Sequence, residues 1–478
     1  DLKYIKDGKD VIDTRFQVEL ADYWGEKSWE DATPRSNEGQ LLFLMEMITK
    51  MKSTDASPLG SRIASVHNGS SLFTGDAGGG ESNIRRHIIE NDLLDTIIQL
   101  PNNLFYNTGI TTYIWLLTNA KPAVRRGKVQ LIDASLLFAK RRKNLGEKNC
   151  DLTPGNIAEI TQAYLAFEPI ERKVSASHDP IGIAAQIFDA SDFGYYKVTI
   201  ERPDRRKAQF SAERLAPLRF DKGLLAPMEY LYAEHGDAIY DADTLKQEAK
   251  AIVAWCEDNE ITLTTKNRAK LLDVKFWQGQ RDLLAAGNSL MEAIGTGESR
   301  DYNLFQDKVD AVLKKQKRKL SASERTAILN AVSWYDDTAE IVLKRSIKLS
   351  GDKMATLLER LGCTEADLAD FGYYKIGKGE YQTYESNADL RDSESVPLKD
   401  NIHRYYRAEV KPHVDEAWIN MESVKTGYEI SFNKYFYRHK PLRALNDVAA
   451  DIMELERRAD GLIADILGVK ALADVSVA

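Results

Sequence analysis

The sequence predicts an α/β protein, with an open sheet in its first third and a mostly helical carboxyl-terminal region. Three observations carry this. Residues 62–67, 93–100 and 110–118 are short apolar runs with the length and composition of buried strands. Between the first two, the glycine-rich turn Gly75-Asp76-Ala77-Gly78-Gly79-Gly80 leads into residues 81–91, where Ile84, Ile88 and Ile89 recur at helical spacing. Pro101 closes the second run. In open α/β sheets the site lies outside the carboxyl ends of the strands. That directs attention to the loops at 68–80 and 102–109.

Taken in order, residues 1–37 are polar, with Trp24, Trp29 and Pro34 and no sustained period, and read as a surface loop. Residues 38–51 form an amphipathic helix with Leu41, Leu44, Met45, Ile48 and Met51 on one stripe. Residues 53–60 are a turn-rich link into the first strand. The helix at 81–91 has Ser82 available as its cap. Its preceding glycines lack the Lys-Ser/Thr of a P-loop and the G-x-G-x-x-G spacing, so they read as a tight turn needing positive φ. Residues 102–109, NNLFYNTG, put two adjacent aromatics in a polar loop, a poor place to bury both. Residues 129–133 add a short strand, and Lys140-Arg141-Arg142-Lys143 reads as a solvated basic loop. Thr153 and Pro154 open a helix over 151–167.

Further on, Phe193-Gly194-Tyr195-Tyr196-Lys197 leads into a strand at 198–201. The words DFGYYK recur at 370–375 and suggest a second, similar start of a strand. Residues 239–369 are dominated by helical patterns, with Leu245, Ala249, Ile252 and Cys256 on one face. Ser321 and Glu324 make a capping box, preceded by the basic run Lys314, Lys315, Lys317, Arg318 and Lys319. Tyr428, Ile430 and Phe432 alternate like a half-buried strand. Last, Val448, Ile452, Leu455, Ala459, Leu462 and Ile466 repeat at intervals of four and three, an apolar seam of nearly three heptads.

Composition narrows the class. Across 478 residues, 43% hydrophobic and 29% charged content is that of a globular protein with a large core. No apolar run approaches the roughly 18 residues of a membrane span, and no signal peptide opens the sequence. Cys150, Cys256 and Cys363 lie too far apart for a metal site or a disulfide framework, which suits a reducing cytoplasm. The net charge of −8 means that any DNA-binding surface must be local or supplied by a partner.

The stretch GDAGGGESNIRRHIIENDLLDTIIQLPNNLFYNTGITTYIWLLTN closely resembles the modification subunits of type I restriction–modification systems. The resemblance continues through EGQLLFLMEMITKM, FGYYKVTIERP, SNADLRDSESVPL and GYEISFNKYFY. It implies a DNA adenine N6-methyltransferase that uses S-adenosyl-L-methionine. Its implied partners are DNA, a specificity subunit, a second modification subunit and a restriction subunit. The implied fold is the second half of a Rossmann-like methyltransferase sheet with antiparallel end strands. That family carries a glycine-rich cofactor motif and an Asn-Pro-Pro-Phe-like catalytic loop. Neither is found in these 478 residues, which contain no Pro-Pro pair. The sequence also opens at Asp1 rather than at methionine, like a subunit cut just after its catalytic loop. No catalytic residue is assigned, and this chain alone is expected to be inactive and to bind the cofactor weakly or not at all.

The resemblance implies a division into residues 1–172, the second half of the catalytic domain, 173–440, a mainly helical region, and 441–478, a helix and tail for docking. It makes Phe105 the best match to an aromatic that stacks on a flipped base, with Tyr106 and Asn107 beside it. Arg85, Arg86, Lys140, Arg141 and Arg142 are the expected DNA-backbone contacts. Val448, Ile452, Leu455, Leu462 and Ile466 are the expected docking stripe, against either this chain's own helices or a specificity subunit. Two other readings stand beside this one. One is a non-catalytic module that docks a specificity subunit and clamps DNA; the other is a different adenine methyltransferase architecture sharing this half-domain.

Overall fold

The computed structural model describes residues 3–6, 9–36, 38–174, 180–317, 319–437 and 445–467. The chain is mixed α/β with a mostly helical middle region, and divides into two compact units, each drawn from separate segments.

One unit comprises Pro34–Thr74, Ile88–Ala190 and Glu429–Ala478. Its strands are β1 (Arg62–Asn68), β2 (Leu94–Gln99), β3 (Thr112–Thr118), β4 (Lys128–Leu136), the hairpin β5 (Ala139–Leu145) and β6 (Lys148–Asp151), β7 (Lys173–Val174) and β8 (Pro180–Asp189). The main sheet has the order β7-β8-β4-β2-β3-β1. Only β2 and β4 pair in parallel, with Ile98 opposite Ile132. β3 is antiparallel to both β1 and β2, so those two share a direction. On one face Ile98, Leu100, Ile132, Ala134 and Ala185 pack with Ile160 and Ala163 of helix Pro154–Ala166. Each such aliphatic side chain of Leu or Ile size contributes about 1.5–3 kcal/mol when removed from water. Thr153 caps that helix through the amide of Asn156, as the sequence predicts. Helix Gln40–Thr49 likewise buries Leu41, Leu44 and Met45.

One expectation needs correction here. The basic segment at 140–143 is not a loop but part of β5, because β6 and the 102–109 loop supply its hairpin with backbone partners.

The other unit comprises Asp1–Thr33, Gly75–His87 and Ser191–Tyr428. Its antiparallel sheet sets β9 (Gly194–Glu201) between β10 (Asp392–Pro397) and β11 (Trp418–Tyr428). Both DFGYYK words end a 3₁₀ turn and lead into a strand, β9 and Tyr374–Gly377, so the repeat is one of local structure. Residues 1–37 are not a plain loop. Hairpin Gln17–Ala21/Lys27–Asp31 forms because Val18 and Leu20 alternate into the core, and Phe16 is buried just before it. Ser82 is not a helix cap either: it lies inside helix Gly80–Glu90, buried, where its hydroxyl accepts from the Tyr428 amide at 3.1 Å. Beyond Tyr428 the expected strand gives way, since Phe432 opens the short helix Phe432–Phe436.

His67, near the end of β1, is 3% exposed and edge-on to Trp115, and neither of its ring nitrogens has a hydrogen-bond partner. Burial pushes its pKa down to about 4. The unfolded chain takes up this proton near pH 6.5 and the folded chain only near 4. The contribution is therefore complete above pH 6.5 and is lost as pH falls toward 4, by about 3 kcal/mol. The expected result is a melting temperature that declines across that window, with a shallower decline in His67→Leu. Equal slopes in both proteins would show that His67 is solvated or paired.

Candidate nucleic-acid interface

Because β2 and β4 run parallel, their carboxyl ends open on the same side of the sheet, where loops of neighbouring strands meet. The loop at 102–109 follows β2, and the β5–β6 hairpin follows β4. The two are stitched together. The Glu147 amide donates to the Tyr106 carbonyl at 3.0 Å and the Asn149 amide to the Asn103 carbonyl at 3.0 Å. The Asn103 side chain returns a bond to the Glu147 carbonyl at 3.0 Å, and Lys148 Nζ donates to the Leu104 carbonyl at 2.8 Å. Gly146 turns the hairpin at φ +60°, and a Cβ there would come within 2.5 Å of the Tyr106 carbonyl. Asn103 adopts φ +56°, a conformation that asparagine tolerates better than most residues.

This scaffold treats the two aromatics differently. Phe105 is half-buried and packs on the sheet core, whereas Tyr106 is 64% exposed with Lys148 Nζ 5.7 Å from its ring centre. Asn107 is exposed beside it. On the hairpin, Lys140 and Arg142 are exposed, and neither has an ion-pair partner among the described residues. Arg141 is bonded to Asp151, which Lys148 also reaches at 2.9 Å. The Lys148 ammonium, aided by the Arg141 guanidinium, holds the Asp151 carboxyl below the usual carboxylate range. Arg141 is thus committed to its partner at neutral pH.

Arg85 and Arg86 belong to the other unit. Both are buried: Arg85 Nε donates to the Tyr428 carbonyl at 2.6 Å, and Arg86 Nη2 to the Ala21 carbonyl at 2.6 Å. This corrects the expectation that they face DNA phosphates. A guanidinium spent on interior carbonyls is not a solvated cation, and freeing it would leave those carbonyls without a donor. The glycine-rich turn is packed by the chain's own groups. A Cβ on Gly78 would meet the Lys425 side chain at 3.0 Å, one on Gly79 the Asp76 carbonyl at 3.0 Å, and Asp76 is paired with Lys197.

Helix Leu445–Leu467 carries the predicted docking stripe. Val448 is half-buried, while Ile452 and Leu455 are 58% and 63% exposed. The side chains of Leu462 and Ile466 lie outside the described residues, as does the tail from 468. One feature at the sheet end went unseen in the sequence: a cleft of about 600 Å³ lined by Gln99, Asn102, Asn144 and Asn149 among others. Its amides come from three separate segments, so no spacing announces them. Among the described residues, no helix is long and apolar enough to cross a membrane, and all three cysteines are free.

Residues 17–197 match the family model for N-6 DNA methylase. The methylase subunit of the type I restriction enzyme MjaVII from Methanocaldococcus jannaschii is 39% identical over 115 residues, 23% of this chain and 18% of that protein. The HindI methylase subunit from Haemophilus influenzae is 31% identical over 153 residues, 31% of each. This chain thus spans under a third of either relative. A solved methyltransferase subunit of a type I restriction–modification system from Streptococcus thermophilus is 27% identical, with a TM-score of 0.27, over 34% of this chain and 28% of that one. Residues 17–197 are thus similar to the N-6 DNA methylases, and part of the chain is similar to methylase subunits of type I restriction enzymes.

Proposed function

We propose that this chain is the base- and phosphate-facing part of a type I modification subunit, which transfers methyl from S-adenosyl-L-methionine to adenine N6 in DNA. The six-stranded sheet is read as the second half of a methyltransferase sheet, with antiparallel β3 set between β1 and β2. The observation that carries the proposal is the stitched loop and hairpin. It bonds the loop of the exposed Tyr106 to the hairpin that carries the unpaired cations Lys140 and Arg142, both following the carboxyl ends of a parallel strand pair. An enzyme acting on a base amino group must take that base out of the stack and hold it against an aromatic or apolar face. Tyr106 offers the accessible face, and half-buried Phe105 holds the loop that presents it. No catalytic residue is assigned among these residues. The specificity subunit, a second modification subunit and the restriction subunit are the remaining partners. In this reading residues 1–172 are the second half of the catalytic domain, 173–440 a mixed, mainly helical region, and 441–478 a helix and tail for docking.

Duplex binding measured over a range of salt tests this. Lys140→Ala with Arg142→Ala should reduce the slope of log K against log salt by about 1.8, for two phosphates lost. Tyr106→Ala should leave that slope alone and weaken binding of a duplex with an unpaired adenine by about 1–3 kcal/mol. Unchanged slope and unchanged affinity would remove the loop and hairpin from the DNA interface.

A further inference from the structure

Below the aromatic loop, the 600 Å³ cleft lies between the carboxyl ends of β2 and β4 and the inner side of the hairpin. Its volume is in the range of small-ligand clefts, roughly 300–1,000 Å³. The lining is amide-rich. Among the described residues, the side-chain amides of Gln99, Asn144 and Asn149 have no hydrogen-bond partner in the protein, although all three border one space. Asn102 is held in place by the Thr111 hydroxyl, which donates to its Oδ1. Phe138, 37% exposed, supplies an aromatic surface, and Lys140 a cation without an ion-pair partner.

A carboxamide presents one donor and one acceptor side by side. That matches a base edge offering the reverse pair, and adenine, through N6 and N7, is the usual partner of Asn and Gln. Carboxylates would reject a phosphodiester, but among the residues lining the cleft there are none. We propose that this cleft is a second nucleotide site, which takes one adenine nucleotide of a DNA strand. Gln99, Asn144 and Asn149 read the base edge, Phe138 covers the ring and Lys140 meets the phosphate. The site is separate from the face of Tyr106 and rests on the DNA-binding role proposed above. It gives the segment a sequence preference of its own at one position.

The test is fluorescence anisotropy of the full chain with 12-nucleotide single strands of deoxyadenosine, of thymidine and of abasic deoxyribose phosphate. The deoxyadenosine strand should bind about ten-fold more tightly than either of the others. Gln99→Leu with Asn149→Leu should abolish that preference and leave abasic binding unchanged. Asn144→Leu, at an exposed position, should reduce the preference without disturbing the fold, as checked by a circular-dichroism melt. Lys140→Ala should weaken all three strands alike. Equal binding of all three strands by the unmodified chain overturns the cleft proposal and leaves the DNA-binding role standing. Failure to bind any strand overturns both. Free deoxyadenosine monophosphate that binds while the strands do not would make the cleft a mononucleotide pocket, and would also overturn it.

Discussion

Arg125→Leu is expected to lower the stability of the unit that contains it by about 3–5 kcal/mol, the largest single-residue effect anticipated here. Arg125 is nearly fully buried, with its Nη1 3.1 Å from Asp95 Oδ1, and Asp95 is buried as well. The other carboxylate oxygen accepts from the Tyr164 hydroxyl at 2.8 Å. The guanidinium lies 4.5 Å from the ring centre of Tyr164 and 4.2 Å from that of Phe167. Burial, followed by the Asp95 carboxylate, holds the Tyr164 phenol above its ordinary pKa, so it stays a donor. Removing the cation leaves Asp95 charged, buried and served only by neutral donors, and this dominates the cost. The double substitution Arg125→Leu with Asp95→Leu should recover much of the loss, because no charge then remains to desolvate. Urea unfolding followed by amide exchange of β2 and β3 measures both variants. A loss under 1 kcal/mol in the single variant would show that the pair is solvated.

The second large effect is on assembly. Leu455→Asp with Leu462→Asp should abolish co-purification with a specificity subunit and leave the thermal melt of the isolated chain unchanged. The described part of the stripe on helix Leu445–Leu467 is mostly exposed, with Ile452, Met453 and Leu455 all more than half accessible. Its neighbours are charged, and Arg457 is engaged with Glu454 on its own helix at 3.0 Å. A helix so patterned gains by laying its stripe in an apolar groove of a partner. Each leucine contributes about 1.5–3 kcal/mol on burial, so the two together decide whether the complex forms. Retained assembly would place the docking surface elsewhere. A collapsed melt would show that the stripe belongs to this chain's own core.

Most local elements were legible in the sequence because their signals are local. Ile84, Ile88 and Ile89 specify one helix by spacing, Thr153 and Ser321 specify the starts of two others, and the apolar runs that became β1, β2 and β3 specify strands. The aromatic loop was legible for the same reason: two rings in a polar octapeptide are visible without any fold. Long-range pairing was not. Whether Lys140 to Lys143 is loop or strand depends on β6 and on carbonyls of the 102–109 loop, and the hairpin Gln17–Ala21/Lys27–Asp31 depends on a core that buries Val18 and Leu20. Arg85 and Arg86 show the limit most clearly. As residues on a polar-looking helix they read as solvated cations, and only tertiary structure shows both buried, with the carbonyls of Tyr428 and Ala21 accepting from Arg85 Nε and Arg86 Nη2. The amides of Gln99, Asn144 and Asn149 pose the reverse case, since nothing in sequence marks an asparagine as unpartnered. Periodicity and capping are written within a few residues and survive in a single sequence. The partner of a charge or an amide is set by residues tens to hundreds of positions away, so only the folded chain decides whether that group is spent or available.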